Sequence, residues 1–189
     1  MGNTLFPVFL KLEQMHLLIV GGGYIGLEKL EAVIRNSPQT RITLVAPEIS
    51  EAIVDLSQKY AIELIYEPYR KEFLKGKNLV IVGTGIMEVS EAVQKDCRER
   101  NVLVNVADKP SLCDFYLSSV VNKGDLKIAI STNGKSPTFA KRFREILEEI
   151  LPESLQETLD NLKSIRDRLK GDFEYKVDKL NEITRVMKE

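Results

Sequence analysis

The sequence contains one histidine, His16, two cysteines, Cys97 and Cys113, and no tryptophan. A lone histidine cannot anchor a multi-histidine metal site. Two distant cysteines make neither a zinc pattern nor a disulfide framework. The cysteines are expected to be small buried hydrophobes in a reducing compartment, and no metal ligands are assigned. His16 opens an apolar run and is expected to be structural. Excess charge of one sign is also missing: 27 basic residues face 28 acidic ones, a net charge of -1. Nothing in that balance draws the chain to nucleic acid or to a membrane surface. No apolar run reaches the ~20 residues a spanning helix requires. The opening MGNTLFPVFLKLEQ lacks the basic start, long apolar stretch and small-residue cleavage site of a secretory signal. It also has Phe6 where a myristoylation motif needs Ser or Thr. The expectation is a cytoplasmic globular protein, without nucleic-acid or membrane partners, whose 189 residues suffice for one good core or a core and a small appendage.

What is present is an alternation of short apolar runs and helical patterns. His16–Val20, Arg41–Val45, Ile62–Tyr66, Leu79–Val82 and Val102–Val106 read as strands. Residues from Tyr24 to about Arg35, from Glu51 to Tyr60 and from Glu88 to Arg100 read as helices, with Ser50 as an N-cap of the second. That order implies an α/β fold with a parallel sheet covered on both faces. After Asp108 the pattern changes. Phe115–Val121 and Leu126–Thr132 read as a hairpin about the turn Asn122-Lys-Gly-Asp125, and Pro137 to Met187 reads as helix, broken by Pro152 and Gly171.

Gly21, Gly23 and Gly26 follow the first strand as G-x-G-x-x-G and open the first helix. In such a loop the first glycine allows the tight turn and the second lets backbone approach a pyrophosphate. The third lets helix and strand pack closely, and the helix N-terminus offers free N–H groups. Gly21, Gly22, Gly23, Tyr24, Ile25 and Gly26 are therefore candidate dinucleotide contacts, with Ala46 and Pro47 after the second strand and Gly83 and Thr84 after the fourth. The acid that usually holds the adenosine ribose is absent at Ala46. Glu48 stands two residues later, where it either reaches the ribose or begins the next helix. No basic residue follows Val45 to receive a 2′-phosphate, which favours NAD over NADP.

Pro7-Val-Phe9, Leu17-Leu-Ile-Val-Gly-Gly-Gly23, Lys29, Val45-Ala-Pro47, Asn105-Val-Ala-Asp108 with Pro110, and Ser131-Thr-Asn-Gly-Lys-Ser-Pro137 together resemble the precorrin-2 dehydrogenase/sirohydrochlorin ferrochelatase family of siroheme synthesis, in order and spacing along essentially the whole chain. The resemblance implies a Rossmann-type doubly wound sheet (residues 1–112), a hairpin-containing dimerisation region (113–150) and a helical C-terminal region (151–189), assembled as a homodimer. It implies NAD-dependent dehydrogenation of precorrin-2 to sirohydrochlorin, then insertion of Fe2+, a substrate, to give siroheme. In fused members a methyltransferase domain follows, and this chain is expected to be too short to contain it.

The family's acid/base aspartate matches Asp108, which by its local sequence alone is a turn former in Ala107-Asp-Lys-Pro110. The loop Ser131, Thr132, Asn133, Gly134, Lys135 and Ser136 is expected to hold the carboxylate-rich tetrapyrrole. Lys135, Lys141, Arg142 and Arg144 are available beside it, although residue by residue they read more simply as a solvated basic face. Thr132 takes the place of a serine that is phosphorylated in some members. Other departures are Glu28, where the family often has arginine, and Gly83-Thr84-Gly85-Ile86, which keeps only the threonine of the family's Ala-Thr-Asp/Asn-Asp loop. Leu155, Leu159, Leu162, Ile165 and Leu169, and then Val177, Leu180, Ile183 and Val186, form stripes expected in core or subunit interface. Two other readings remain: a dehydrogenase without chelatase activity, and a non-enzymatic NAD-sensing Rossmann module.

Overall fold

The computed structural model describes residues 2–185, so the expected contribution of Val186 and the end of the last helical run at Met187 lie outside the described residues. The chain divides into two compact units, one up to Leu117 and the other from Ser118. In the first, β1 (His16–Val20), β2 (Arg41–Val45), β3 (Ile62–Ile65), β4 (Leu79–Val82) and β5 (Leu103–Val106) form a parallel sheet in the order β3-β2-β1-β4-β5. The connecting helices are α1 (Tyr24–Asn36), α2 (Glu51–Ser57) and α3 (Met87–Glu99).

The strands read as nearly unbroken apolar runs because both faces of the sheet are covered. Side chains still alternate between them. Leu17, Ile19, Leu79 and Ile81 pack with Leu30, Val33 and Ile34 of α1 and Ile53 of α2. Leu18, Val20, Val80 and Val82 pack with Val93 and Cys97 of α3 on the opposite face. The sheet is thus doubly wound, and its strand order reverses between β1 and β4, which leaves a crevice at their carboxyl ends.

In the second unit β6 (Ser119–Lys123) and β7 (Leu126–Ile130) form an antiparallel hairpin, followed by α4 (Pro137–Ile150), α5 (Leu155–Arg168) and α6 (Phe173–Thr184). Ser136 caps α4 as expected: its hydroxyl accepts from the Phe139 N–H at 3.1 Å. Pro152 and Gly171 fall in the breaks between the three helices.

Several local expectations are corrected. The segment Phe115–Ser118 is not strand. The Asn105 side chain donates to the Phe115 carbonyl at 2.8 Å and holds Phe115 beside the edge strand β5. Asn122 and Lys123 belong to β6, so the hairpin loop is Gly124-Asp125, with Gly124 at φ +59°. The second helix stops at Ser57, not Tyr60: past it the Lys59 N–H turns onto the Leu56 carbonyl, three residues back, and the chain leaves the α pattern. Cys97 is buried as expected, and burial pushes its thiol up to about 12. Cys113 is half-buried and hydrogen-bonded to the backbone of Val106.

Candidate functional site: a dinucleotide cleft

At the carboxyl edge of the sheet lies a cleft of about 820 Å³, within the usual range of ligand pockets. Gly21, Gly22, Gly23, Tyr24, Ile25, Ala46, Pro47, Gly83 and Thr84 line it. Gly26, singled out with them, is buried behind this wall.

Each glycine has its own reason. Gly21 adopts φ +127°, and a side chain there would strike the Gly83 carbonyl, so the β1 and β4 loops can touch only backbone to backbone. A methyl group on Gly22 would run into the Glu48 carbonyl and come within 2.9 Å of the Ala46 side chain. The sequence pattern does not single out this contact. It seats the loop after β2 against the glycine turn, where the Ser50 N–H donates to the Gly22 carbonyl at 2.9 Å. A side chain on Gly26 would collide with the Gly21 carbonyl, which is the close helix–strand approach expected of the third glycine. Gly23 differs: a side chain there meets nothing within 4 Å and would simply occupy open space.

The first turn of α1 starts at Gly23, which has no side chain with which to cap it. Its leading N–H groups and the positive end of its dipole therefore face the cleft. Among the described residues no lysine, arginine or histidine lines that space, and Glu48 is its charged side chain. Glu48 precedes α2 and is not part of it. Ser50 stands at the N-cap of α2 without accepting a helix N–H, and its buried hydroxyl has no partner. The spare hydroxyl, the free space at Gly23 and the uncapped helix fit an anionic nucleotide. Thr84 turns its hydroxyl onto its own loop, accepting from the Ile86 N–H at 3.1 Å. Sequence reasoning missed Ile49, Pro68, Tyr69 and Val89 in the lining. Pro68 and Tyr69 follow β3, so their place at a strand's carboxyl end was the available signal. The Tyr69 hydroxyl is 3.2 Å from the Asp96 carboxylate, and burial, reinforced by that charge, raises its pKa.

Asp108 follows β5 on the same edge of the sheet, exposed, at φ +58°, and is not part of the cleft lining. Its loop is closed at the neck: Ala107 N–H donates to the Val82 carbonyl at 2.9 Å, and Cys113 Sγ lies 3.2 Å from both the N and the O of Val106.

Ser131, Thr132, Asn133, Gly134, Lys135 and Ser136 form a tight turn between β7 and α4 in the second unit. The Ser131 hydroxyl accepts from Asn133 N–H, and that of Thr132 accepts from Ser136 N–H. Asn133 and Gly134 both have positive φ. Arg142 and Arg144 are paired with Glu145 and Glu148. Glu28 is exposed and pairs with Lys29. Among the described residues no three His, Cys, Asp or Glu side chains gather to hold a metal ion, and no helix is long and apolar enough to cross a membrane.

Residues 8–119 match the family model described as putative NAD(P)-binding, and residues 123–150 match the sirohaem biosynthesis protein central model. The chain belongs to the precorrin-2 dehydrogenase/sirohydrochlorin ferrochelatase family. It is 37% identical over 169 residues to a siroheme synthase of Psychrobacter sp. (strain PRwf-1), covering 89% of this chain and 34% of that protein. It is 32% identical over 173 residues to a siroheme synthase of Pseudoalteromonas translucida (strain TAC 125), covering 92% and 36%. The chain thus spans about a third of the length of these curated relatives. Among solved structures it resembles SirC, a precorrin-2 dehydrogenase, with a TM-score of 0.76 and 26% identity over 95% of this chain and 89% of that one.

Proposed function

We propose that the chain dehydrogenates precorrin-2 to sirohydrochlorin with NAD+ and then inserts Fe2+ to give siroheme, acting in the cytoplasm as a homodimer. The observation that carries this reading is the cleft, in which an uncapped helix N-terminus beside Gly21–Gly23 meets a point of strand-order reversal. The likeness to SirC along nearly the whole chain supports the substrate.

In this reading, the backbone N–H groups of Tyr24 and Ile25 take the pyrophosphate, and Gly23 leaves room for it. Ala46 and Pro47 border the adenosine, and Gly83 and Thr84 border the half of the crevice nearest β4. Bound there, NAD+ supplies a hydride acceptor. Precorrin-2 gives up one hydride and one proton, and Asp108 takes the proton. Chelation removes two protons from pyrrole nitrogens as Fe2+ enters, and the same carboxylate receives them in turn. The turn from Ser131 to Ser136, with Lys135, binds substrate carboxylates.

The test is an anaerobic absorbance assay with precorrin-2 and NAD+, run on wild type and on Asp108→Ala, with Fe2+ added afterwards. The expected result is NADH with the sirohydrochlorin spectrum in wild type, a loss of about 100-fold or more in the variant, and a metal-dependent second spectral change. Folded wild type without turnover defeats the dehydrogenase. Undiminished turnover in Asp108→Ala removes that residue from the first step, and no response to Fe2+ leaves a dehydrogenase alone.

A further inference from the structure

β5 is an edge strand, so the outward backbone groups of Val104 and Val106 have no further strand to pair with. The segment that follows the Asp108 loop takes them instead. Val104 N–H donates to the Asp114 carboxylate at 3.0 Å, and Asp114 N–H donates to the Val104 carbonyl at 2.8 Å. Val106 N–H donates to Cys113 Sγ at 3.2 Å. The same sulfur lies 3.2 Å from the Val106 carbonyl and 3.3 Å from the Lys109 carbonyl, which share its one hydrogen. Cys113 thus holds backbone on both sides of Asp108, at Val106 before it and at Lys109 after it. Between them Lys109 N–H donates to the Val106 carbonyl at 3.2 Å, closing a tight turn. Asp108 is its third residue, at φ +58°, a place and a conformation that favour glycine. A residue with a side chain keeps such a conformation when its surroundings impose it.

We propose that Cys113 is a positioning residue for Asp108: its sulfur clasps the turn from Val106 to Lys109 and so fixes where the Asp108 carboxylate stands. The proposal rests on Asp108 being the proton acceptor of the proposed reaction. Asp108 is exposed and sits on a loop, so the precision of its carboxylate has to come from what supports that loop. The thiol suits the task because one atom both accepts and donates. It is half-buried against the cluster that contains Val93 and Cys97. Burial raises its pKa, and Asp114 adds to this while the Val106 N–H opposes it, so the sulfur keeps the hydrogen it donates. The Asn105 side chain, 3.5 Å from the sulfur and 2.8 Å from the Phe115 carbonyl, holds the clasp itself in place.

The experiment is the anaerobic assay with precorrin-2 and NAD+ on wild type, Cys113→Val, Cys113→Ser, Asp108→Asn and the double variant Cys113→Val/Asp108→Asn. NADH titrations run alongside as a check of folding. Valine keeps the packing and removes the hydrogen bonds, whereas serine keeps a donor and an acceptor and gives up apolar bulk. Asparagine tolerates positive φ but takes no proton. Cys113→Val should lower kcat about tenfold through a displaced carboxylate. KM for precorrin-2 and NADH affinity should stay unchanged, since neither Cys113 nor its partners line the cleft. Cys113→Ser should keep kcat within about threefold of wild type. In the Asp108→Asn background Cys113→Val should cost nothing further, because its effect passes through the carboxylate already removed. If Cys113→Val fails to bind NADH, Cys113→Ala takes its place. Wild-type kcat in the valine variant, a serine variant slower than the valine one, or an added loss in the double variant overturns the role of Cys113 alone. Turnover undiminished in Asp108→Asn removes Asp108, and Cys113 with it. Wild type that binds NADH without oxidising precorrin-2 defeats the reaction on which both depend.

Discussion

At the scale of single residues, two glycines in one loop are constrained by different things. Gly26 is fixed by the protein itself, because an added methyl group would meet the Gly21 carbonyl. Gly23 is unconstrained by the protein, with φ -91° and open space where a side chain would go. Gly26→Ala should therefore cost about 1–3 kcal/mol of stability through overpacking. Gly23→Ala should leave the melting temperature unchanged yet weaken NADH about tenfold or more by filling the space the phosphates need. Thermal melts and cofactor titrations on both variants test this, and a destabilised Gly23→Ala with normal affinity would contradict it. His16 offers a second test, at the opposite edge of the sheet. Its ring nitrogen is 2.8 Å from the Thr43 hydroxyl and 2.8 Å from Lys77 Nζ. Burial, with Lys77 and Arg41, holds its pKa below 6.5, while Glu63 pulls the other way. The unfolded chain then takes up a proton near pH 6.5 that the folded chain still refuses. Stability contributed by neutral His16 is complete above that pH and is lost as the pH falls toward the folded value. Urea midpoints between pH 7 and 5 should fall less steeply in His16→Gln than in wild type.

At the scale of elements, α4 is set by its first residues. The Ser136 hydroxyl caps the Phe139 N–H, and Pro137 occupies the first turn, where its missing donor is harmless. Ser136→Ala should cost about 1 kcal/mol in urea unfolding, and an unchanged midpoint would show the cap to be dispensable. This element was legible in the sequence because cap, proline and apolar spacing are local signals. The β-strands that build the cleft were legible for a related reason: each is a short apolar run ended by glycine or proline close by. What escaped was decided across distance. Phe115 has the composition of a strand, yet its carbonyl is taken by Asn105, ten residues earlier. Likewise, no periodicity in the sequence announces that Gly22 must admit the backbone of Glu48, or that Pro68 and Tyr69 close the cleft. Those contacts exist only once the sheet has ordered its strands.

At the scale of the whole molecule, the two units are unequal in what they bury. The first holds both hydrophobic clusters. From Ser118 onward, among the described residues, the buried hydrophobic side chains are Val121 and Ala140. A segment of this size with so small a core needs outside support. The surface of α4 indicates where that support would act. Ala140 turns inward, while Phe139, Phe143, Ile146 and Ile150 are 59%, 41%, 51% and 66% exposed. Their spacing of four, three and four residues aligns them along one face, and the two phenylalanine rings stack at 5.9 Å. A symmetric dimer presents the same patch twice, so a self-complementary apolar stripe is what the proposed homodimer requires. Phe143→Glu places a charge in the middle of it without touching the dinucleotide cleft. Sedimentation should show wild type as a dimer and the variant as a monomer whose melting temperature is several degrees lower. The wild-type melting temperature should rise with protein concentration, because dissociation is then linked to unfolding. A monomeric wild type, or a variant that stays dimeric, would remove α4 from the interface. NADH affinity should be the same in both, since the residues lining the cleft all belong to the first unit.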